Sequence, residues 1–407
     1  MNEKERRAAS TLAAVFALRL LGLFMIYPVF EAYARGLRGS TPAMIGLALG
    51  AYGLTQGLLQ IPFGLLSDRI GRKIMITIGL LFFAAGSVVA ARAGSIEGVL
   101  IGRILQGAGA VGSVILALVA DLTRAEVRTR AMAMVGVTIG FAFVVAIVLG
   151  PVFNALIGVP GIFWLTALLA LLGIGVTLCA VPRSERLTVQ REAEAVPALF
   201  ARVLRDRELL RLDLGIFSLH AILTASFLAV PPVLAAAFGV GPGREWMIYL
   251  PVLAASVALM VPAVILAERG GRMKEVFITA IAVLLVTVLA LGFAGKDAAI
   301  VLVALTLFFA AFNSMEAMLP SLVSRFAPAE AKGTALGIYS SLQFLGIFIG
   351  GAIGGLAASW GGPVGVFIFT ALLALVWLAT AIAMPRPAAS RAKHVGPNEA
   401  HPGSATR

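Results

Sequence analysis

Twelve stretches of about twenty or more mostly apolar residues run through this sequence, and they decide what the chain can fold into. One transmembrane α-helix needs roughly 20 consecutive apolar residues. The composition agrees, because 60% of the 407 residues are hydrophobic and only 13% are charged, far from the balance of a water-soluble domain. We therefore predict an all-α membrane protein with spans at 11–34, 42–66, 73–93, 96–122, 128–154, 158–181, 209–236, 246–267, 274–294, 298–324, 333–358 and 363–384.

The formal net charge of +12 is compatible with nucleic acid binding, but the placement of the charge indicates membrane topology instead. Most of the 32 Lys and Arg residues fall at the termini, in the middle linker and in alternate loops. The opposite side carries only Arg35, Arg38, Arg92, Arg244 and Lys296. Positive charge collects on the cytoplasmic side of membrane proteins. We predict a multi-pass protein of the cell (inner) membrane with both termini in the cytoplasm and no nucleic acid partner.

The two halves of the chain repeat each other. The set Pro62, Asp68, Arg69, Gly71 and Arg72 reappears at the same spacing as Pro262, Glu268, Arg269, Gly271 and Arg272. Such a duplication predicts two six-helix bundles related by a pseudo-two-fold axis, with a pathway between them. We expect a first bundle at 1–181, a cytoplasmic linker at 182–208, a second bundle at 209–384 and a disordered cytoplasmic tail at 385–407. The stretch from Ala198 to Leu210 fits either an amphipathic helix on the membrane surface or a solvated tether.

Two motifs resemble those of a known family. The loop after the second helix reads Gly64-Leu-Leu-Ser-Asp68-Arg69-Ile-Gly71-Arg72-Lys73 and resembles the signature loop G-x-L-x-D-R-x-G-R-K of the major facilitator superfamily. The fourth helix carries Arg103-Ile-Leu-Gln106-Gly107, which is similar to the second superfamily motif, R-x-x-Q-G. Within the superfamily the resemblance is strongest to a group of drug:proton antiporters, and it covers about residues 11–384. That group includes a member with an extra soluble carboxy-terminal domain, which we expect this protein to lack.

The resemblance implies that the signature loop is a conformational latch, formed by Gly64, Asp68, Arg69, Gly71, Arg72 and Lys73. Asp68 is expected at the amino terminus of the eleventh helix near Gly333, where the helix dipole favours a carboxylate. Arg72 is expected to reach Asp121 at the base of the fourth helix. A purely topogenic loop would explain the basic residues but would leave Gly64 and Asp68 without a role.

Glycines mark two further positions. The fifth helix carries Gly150-Pro151, the surviving pair of a G-x-x-x-G-P-x-x-G-G pattern that is frequent in exporters of this superfamily, and we expect a helix kink there. The same pair kinks many membrane helices that are unrelated to export. The eleventh helix carries Gly346, Gly350 and Gly354, and this spacing predicts a close-packing face.

Ionisable groups inside the spans are costly and therefore mark functional positions. They are Arg19, Arg103, His220 and Glu316, with Asp121 and Asp213 nearer helix ends. A rise of about 1.5 Å per residue puts His220 and Glu316 at similar depth in the second bundle. We predict that protons are carried by Glu316 first, with His220 as neighbour or rival and Asp121 as the next candidate. The alternatives are a hydrogen-bonded packing role for His220 and a structural polar contact of Glu316 with Asn313 or a backbone group.

Polar side chains in the spans predict the substrate cavity: Arg19, Tyr52, Gln56, Arg103, Gln106, Asn313, Tyr339 and Gln343. The two arginines would tune the proton site or hold anionic substrate groups. The sequence has no Walker loop, zinc-ligand spacing or nucleophile elbow. We therefore expect neither an enzyme nor an ATP-driven pump, and no cofactor or metal.

These features predict a proton-coupled secondary transporter that exports small amphipathic or hydrophobic compounds by alternating access. Its partners would be the substrate, protons and the lipid bilayer, and we expect a monomer. Two alternatives remain open on the sequence: a sugar or metabolite exporter or symporter on the same fold, and a membrane sensor that does not transport.

Overall fold

The computed structural model describes residues 1–182, 197–241 and 243–385, and across these ranges the protein is built from α-helices without a β-strand. The expected linker at 182–208 lies partly outside the described residues, and the expected tail lies almost wholly outside them. The first half contains α1 (Glu3–Phe24), α2 (Tyr27–Ala34), α3 (Pro42–Ile70), α4 (Arg72–Arg92), α5 (Ile96–Ala108), α6 (Gly112–Asp121) and α7 (Ala125–Cys179).

The second half contains α8 (Pro197–Val203), α9 (Arg207–Phe238), α10 (Trp246–Arg269), α11 (Met273–Phe293), α12 (Ala298–Phe326) and α13 (Lys332–Ile382). Their ends follow local capping chemistry. The Asp206 side chain accepts hydrogen bonds from the first N–H groups of α9, and Asp297 does the same for α12. The segment expected between Ala198 and Leu210 is therefore divided, since α8 ends before the Asp206 cap and α9 begins after it.

The helices α7 and α13 each contain two passes. They have 55 and 51 residues, about twice what a bilayer requires. Each is interrupted at a glycine with a positive φ, 68° at Gly158 and 57° at Gly362. The chain reverses at these points: Gly150 packs against the Met25 carbonyl, and Thr166 then donates a hydrogen bond to the Gly22 carbonyl (3.1 Å). The ten apolar helices of the described residues thus make twelve passes, in two six-helix bundles.

The first arm of α13 (332–361) carries glycines on two faces. One face, with Gly346, Gly350 and Gly354, packs against Phe217, Ala221 and Ala225 of α9, which confirms the predicted close-packing face. The other face, with Gly351 and Gly355, packs against Gly46 and Gly50 of α3. The first face lies inside the second bundle, whereas the second face joins the two bundles.

The contact between α3 and α13 is confined to one end of the molecule. It extends from Pro42, beside Gly355, to Gly57, where an added Cβ would lie 3.0 Å from the Ser341 carbonyl oxygen. Beyond Gly57 the helices diverge, and an added Cβ at Gly333 would meet nothing within 4 Å. We call the end with the α2–α3 loop (35–41) the closed end. The open end is the one with the α3–α4 turn at Gly71, where α1 begins and α13 finishes.

Candidate proton and substrate site

The first bundle holds an arginine cluster, formed by Arg19, Tyr52, Gln56, Gln60, Arg103 and Gln106. The Arg19 Nη2 donates to the Tyr52 hydroxyl (2.5 Å), to Gln56 Oε1 (2.7 Å) and to the Gly109 carbonyl (3.2 Å). Gln56 Nε2 then donates to Gln60 Oε1 (2.7 Å). The α3 members Tyr52, Gln56 and Gln60 are spaced four residues apart, so one face of that helix supplies all three.

Arg103 anchors the other side of this cluster. Its Nη1 donates to Gln106 Oε1 (2.8 Å) and its Nη2 to the Leu49 carbonyl (3.2 Å). The Tyr52 ring centroid lies 5.2 Å from the Arg103 guanidinium carbon and 5.7 Å from that of Arg19, within the range of cation–π attraction. Both arginines are almost fully buried, and no carboxylate of the described residues lies within salt-bridge distance of either.

The arginine cluster thus brings together five of the predicted cavity residues but encloses them inside the first bundle. Neutral acceptors and an aromatic ring balance the two permanent charges. Tyr52 also meets Phe344 of α13, with ring centroids 6.1 Å apart, so the cluster reaches the boundary between the bundles through this one ring.

The second bundle holds an acid–histidine cluster, formed by His220, Glu316 and Gln343. The Gln343 Nε2 lies 2.8 Å from His220 Nε2 and 3.4 Å from Glu316 Oε1, and His220 Nε2 lies 3.7 Å from Glu316 Oε2. On the other side of the ring, His220 Nδ1 lies 3.3 Å from the Ile216 carbonyl. This pattern fits a neutral imidazole in which Nδ1–H donates to the carbonyl and Nε2 accepts from the Gln343 amide.

Burial differs sharply within the acid–histidine cluster. The His220 side chain is 5% exposed, whereas that of Glu316 is 35% exposed. Glu316 Oε2 nevertheless has no hydrogen-bond partner. Glu316 therefore combines a partly exposed side chain with a buried carboxyl oxygen that lacks a hydrogen-bond partner.

Three predicted site residues lie elsewhere. Asn313 precedes Glu316 by less than one turn but donates to Ser256 Oγ of α10 (3.3 Å), so the alternative contact with Glu316 is not formed. Tyr339 lies one turn before Gln343, with its hydroxyl buried and unpartnered. Asp121 is at the open end, far along the chain from the acid–histidine cluster, where it pairs with Arg72.

The signature loop forms part of its expected contacts. Arg72 Nε lies 3.1 Å from Asp121 Oδ2, as the family resemblance implies, and its Nη1 donates to Ser67 Oγ (2.6 Å). Asp68 pairs with Arg72 (2.5 Å) and does not reach Gly333, because α3 and α13 have diverged at this end. Gly71 supplies the turn to α4 with a φ of 101°, Arg69 is exposed, and Lys73 lies in the first turn of α4.

The dihedral angles of α7 stay helical at Gly150 and Pro151, and are interrupted only at Gly158, where the two passes meet. The kink at Gly150 and Pro151 stays a prediction. Gly150 serves close packing, because an added Cβ would overlap the Met25 carbonyl at the break between α1 and α2.

Sequence reasoning missed Phe143 and Phe312, which form an aromatic contact between the bundles. Phe143 of α7 lies 5.7 Å from Phe312 of α12, and Phe312 lies 5.7 Å from the His220 ring. Tyr27 and Phe227 form a second edge-to-face contact across the boundary, at 5.4 Å. The signal for Phe312 was its position one turn before Glu316, on the same helix face.

Comparison with known proteins agrees with this architecture. The family model described as Major Facilitator Superfamily matches residues 12–229 and again 212–405, one match for each half. The chain belongs to the major facilitator superfamily. Its members are transporters and not enzymes, so this chain is a multi-pass membrane transporter with a small-molecule substrate.

Individual superfamily members resemble the chain along most of its length. The inner membrane transport protein YajR of Escherichia coli (strain K12) is 46% identical over 387 residues, which cover 95% of this chain and 85% of YajR. The multidrug resistance protein MdtH of Yersinia enterocolitica is 25% identical over 354 residues, 84% of each chain. The solved structure of the nucleoside transporter NupG has a TM-score of 0.73 at 13% identity, and covers 93% of this chain and 99% of its own.

Proposed function

We propose that this transporter exports small amphipathic or hydrophobic compounds in exchange for protons. The observation that carries the proposal is the acid–histidine cluster, in which a partly exposed carboxyl group with an unpartnered oxygen lies beside a neutral imidazole. A permanently charged carboxylate in an apolar helix is expensive, whereas a group that alternates between charged and neutral forms tolerates the site. Alternating access would load Glu316 with a proton on one side of the membrane and release it on the other.

The surroundings of Gln343 suit such an exchange. Its amide donates to both neighbours in the present arrangement. When His220 Nε2 carries a proton, a rotated amide presents its oxygen instead, so either protonation state keeps a hydrogen-bond partner. His220 and Glu316 therefore form one unit with Gln343 as the bridge.

The proposed substrate class is supported by aromatic contacts at the boundary between the bundles. Tyr27 meets Phe227 there, and Phe143 meets Phe312. Aromatic rings bury large apolar areas, which favours amphipathic or hydrophobic compounds over sugars. The similarity to MdtH, a multidrug resistance protein, supports export of such compounds. Arg19 and Arg103 would tune the proton site from the first bundle.

The proposal also covers the membrane topology, the conformational latch and the oligomeric state. The excess of Lys and Arg at the open end supports a cytoplasmic location for both termini. The pairing of Arg72 with Asp121 supports a latch in which Asp68 docks at Gly333 once the open end closes. The transporter would work as a monomer, driven by protons.

The test is transport by proteoliposomes with an imposed pH gradient, using a panel of fluorescent dyes, drugs and sugars. Glu316→Gln should abolish proton-driven accumulation and leave dye-for-dye exchange intact, because glutamine imitates the protonated carboxyl group. The matched control is Glu330→Gln. The pKa of Glu330 lies below its usual range, since its carboxylate accepts hydrogen bonds from its own backbone N–H and from Arg202, so it keeps a constant charge.

The outcomes separate the alternatives. Wild-type dye export that requires the gradient, is lost in Glu316→Gln and is kept in Glu330→Gln supports the proposal. Proton-driven export by Glu316→Gln places the carrier elsewhere. Accumulation of sugars but not dyes indicates the alternative substrate class, and binding without transport indicates a sensor.

A further inference from the structure

A second carboxyl group is buried in the second bundle, and the mechanism above does not use it. Asp213 lies on α9, less than two turns from the start of that helix at Arg207, and is only 3% exposed. Its Oδ2 has no hydrogen-bond partner, and no ion pair among the described residues includes it. Burial of an unpaired carboxyl group is costly, and a well-packed helix of this kind does not need one.

The packing register shows what Asp213 lies beside. Along α9 and the first arm of α13, Phe217 meets Gly346 and Ala221 meets Gly350, so the two helices run parallel in steps of four residues. One further step towards the helix starts places Asp213 at the level of Leu342, between Tyr339 and Gln343. Asp213 also precedes His220 by seven residues, which is two helical turns on the same face.

Tyr339 lies on the face of α13 that carries Gln343, Gly346 and Gly350, and this face packs against α9. Its side chain is buried, its hydroxyl has no hydrogen-bond partner, and it lies within electrostatic range of both Glu316 and Asp213. A tyrosine hydroxyl both donates and accepts a hydrogen bond. It can therefore accept a proton from one carboxyl group while its own proton passes to the other.

The cation close to Asp213 along α9 has other partners. Arg211, on the same helix, donates to Glu208 Oε1 (2.6 Å) and to the Ala383 carbonyl (3.0 Å). The facing helices contribute Tyr339 from α13 and Glu316 from α12, and α2 meets α9 near Phe227, towards the closed end. Among the described residues, therefore, no cation neutralises Asp213.

We propose that Asp213 is the open-end relay of the proton path, receiving protons from the acid–histidine cluster through Tyr339. The inference rests on the proposed proton coupling and extends it. The Glu316 O–H bond breaks as its proton moves to the Tyr339 oxygen and forms a new O–H bond there. The original Tyr339 O–H bond breaks as the hydroxyl's own proton moves to the Asp213 carboxylate, and rotation of the hydroxyl resets the chain. Asp213 then releases the proton at the open end, and no electron is transferred.

Asp213→Asn tests the relay in proteoliposomes that enclose a pH-sensitive dye, with ethidium as the transported probe. We expect the rate of proton movement to fall at least tenfold, while infrared difference spectra still show Glu316 titrating. Asp213→Glu should restore most of the rate, and Tyr339→Phe should slow it as Asp213→Asn does. The control is Ser218→Ala, because Ser218 on the same helix is equally buried and also lacks a hydrogen-bond partner.

The results distinguish this inference from the proposed function. If Glu316 does not titrate in the wild-type protein, the proposed proton coupling fails. If Glu316 titrates and Asp213→Asn moves protons at the wild-type rate, the relay alone is overturned. Loss of Glu316 titration in Asp213→Asn indicates a structural role and also overturns the relay. If Asp213→Asn does not fold, the test uses Tyr339→Phe, and a wild-type rate of proton movement in that variant overturns the relay.

Discussion

Gly53→Ala should move the transporter away from the conformation described above. Gly53 lies in the part of α3 that packs against α13 at the closed end. A Cβ added there would lie 2.9 Å from both Ile347 Cβ and the Phe348 backbone nitrogen, and closer still to the Phe344 carbonyl. Two of these three neighbours are backbone atoms, so the crowding cannot be relieved by a rotamer change.

The expected magnitude follows from the cost of overpacking, about 1–3 kcal/mol for an extra carbon in a tight contact. During alternating access, this cost applies only to the conformation in which α3 and α13 pack together at the closed end. A differential free energy of about 1–3 kcal/mol shifts a two-state equilibrium about 5- to 150-fold. The minor conformation of the wild-type protein should become a large fraction of Gly53→Ala.

Distances between spin labels in lipid nanodiscs measure this shift. In a Cys179→Ser background, one label pair at Arg38 and Trp360 reports the closed end, and a pair at Ile70 and Leu336 reports the open end. Gly53→Ala should lengthen the first distance and shorten the second. The control is Gly175→Ala, where an added Cβ meets nothing within 4 Å. If the folded Gly53→Ala protein gives the wild-type distance distributions, the glycine contact does not hold the closed end.

Three other changes give distinct outcomes. Asp68→Asn should fold but weaken transport, because a dipole contact of about 0.3–2 kcal/mol in the opposite conformation is lost; the open-end label pair should show more of the present conformation, and an unchanged distribution with full activity would contradict the latch. Arg103→Lys should keep protein yield but lose most transport, since one ammonium cannot replace the two-armed contact with Gln106 and Leu49; near-normal dye export would make Arg103 a structural charge. Gly350→Ala should lower the melting temperature in detergent without changing either label distance, because its contact lies inside one bundle; an altered distance would contradict that assignment.

The sequence predicted the passes well, because each is a continuous apolar run bounded by glycine, proline or charge. The depth of a residue in the membrane was also predictable, because a constant rise per residue puts His220 and Glu316 at the same level. The direction in which a side chain points around its helix axis was not predictable. Asn313 is less than one turn from Glu316 yet contacts Ser256, and only the packing of α10 against α12 decides this. The bridging role of Gln343 depends in the same way on how α13 packs against α9 and α12.

Conformation is the other limit on sequence reasoning. A transporter sequence encodes at least two arrangements of the same bundles. Asp68 pairs with Arg72 in the present arrangement, and the expected contact near Gly333 stays a prediction for another one. Likewise, both arginines were identified as membrane cations, but their enclosure behind Tyr52 required the positions of α1, α3 and α5.

The glycine contact between α3 and α13 has a kinetic consequence. Most of the atoms that its glycines face across the boundary are backbone atoms. Backbone surfaces of this kind can separate without requiring side chains to leave their rotamer wells, and can meet again in the same register. We therefore expect the activation barrier for rocking at this end to depend chiefly on the admission and expulsion of water and lipid, and turnover to respond more to the fluidity of the bilayer than to mutations in the core of either bundle.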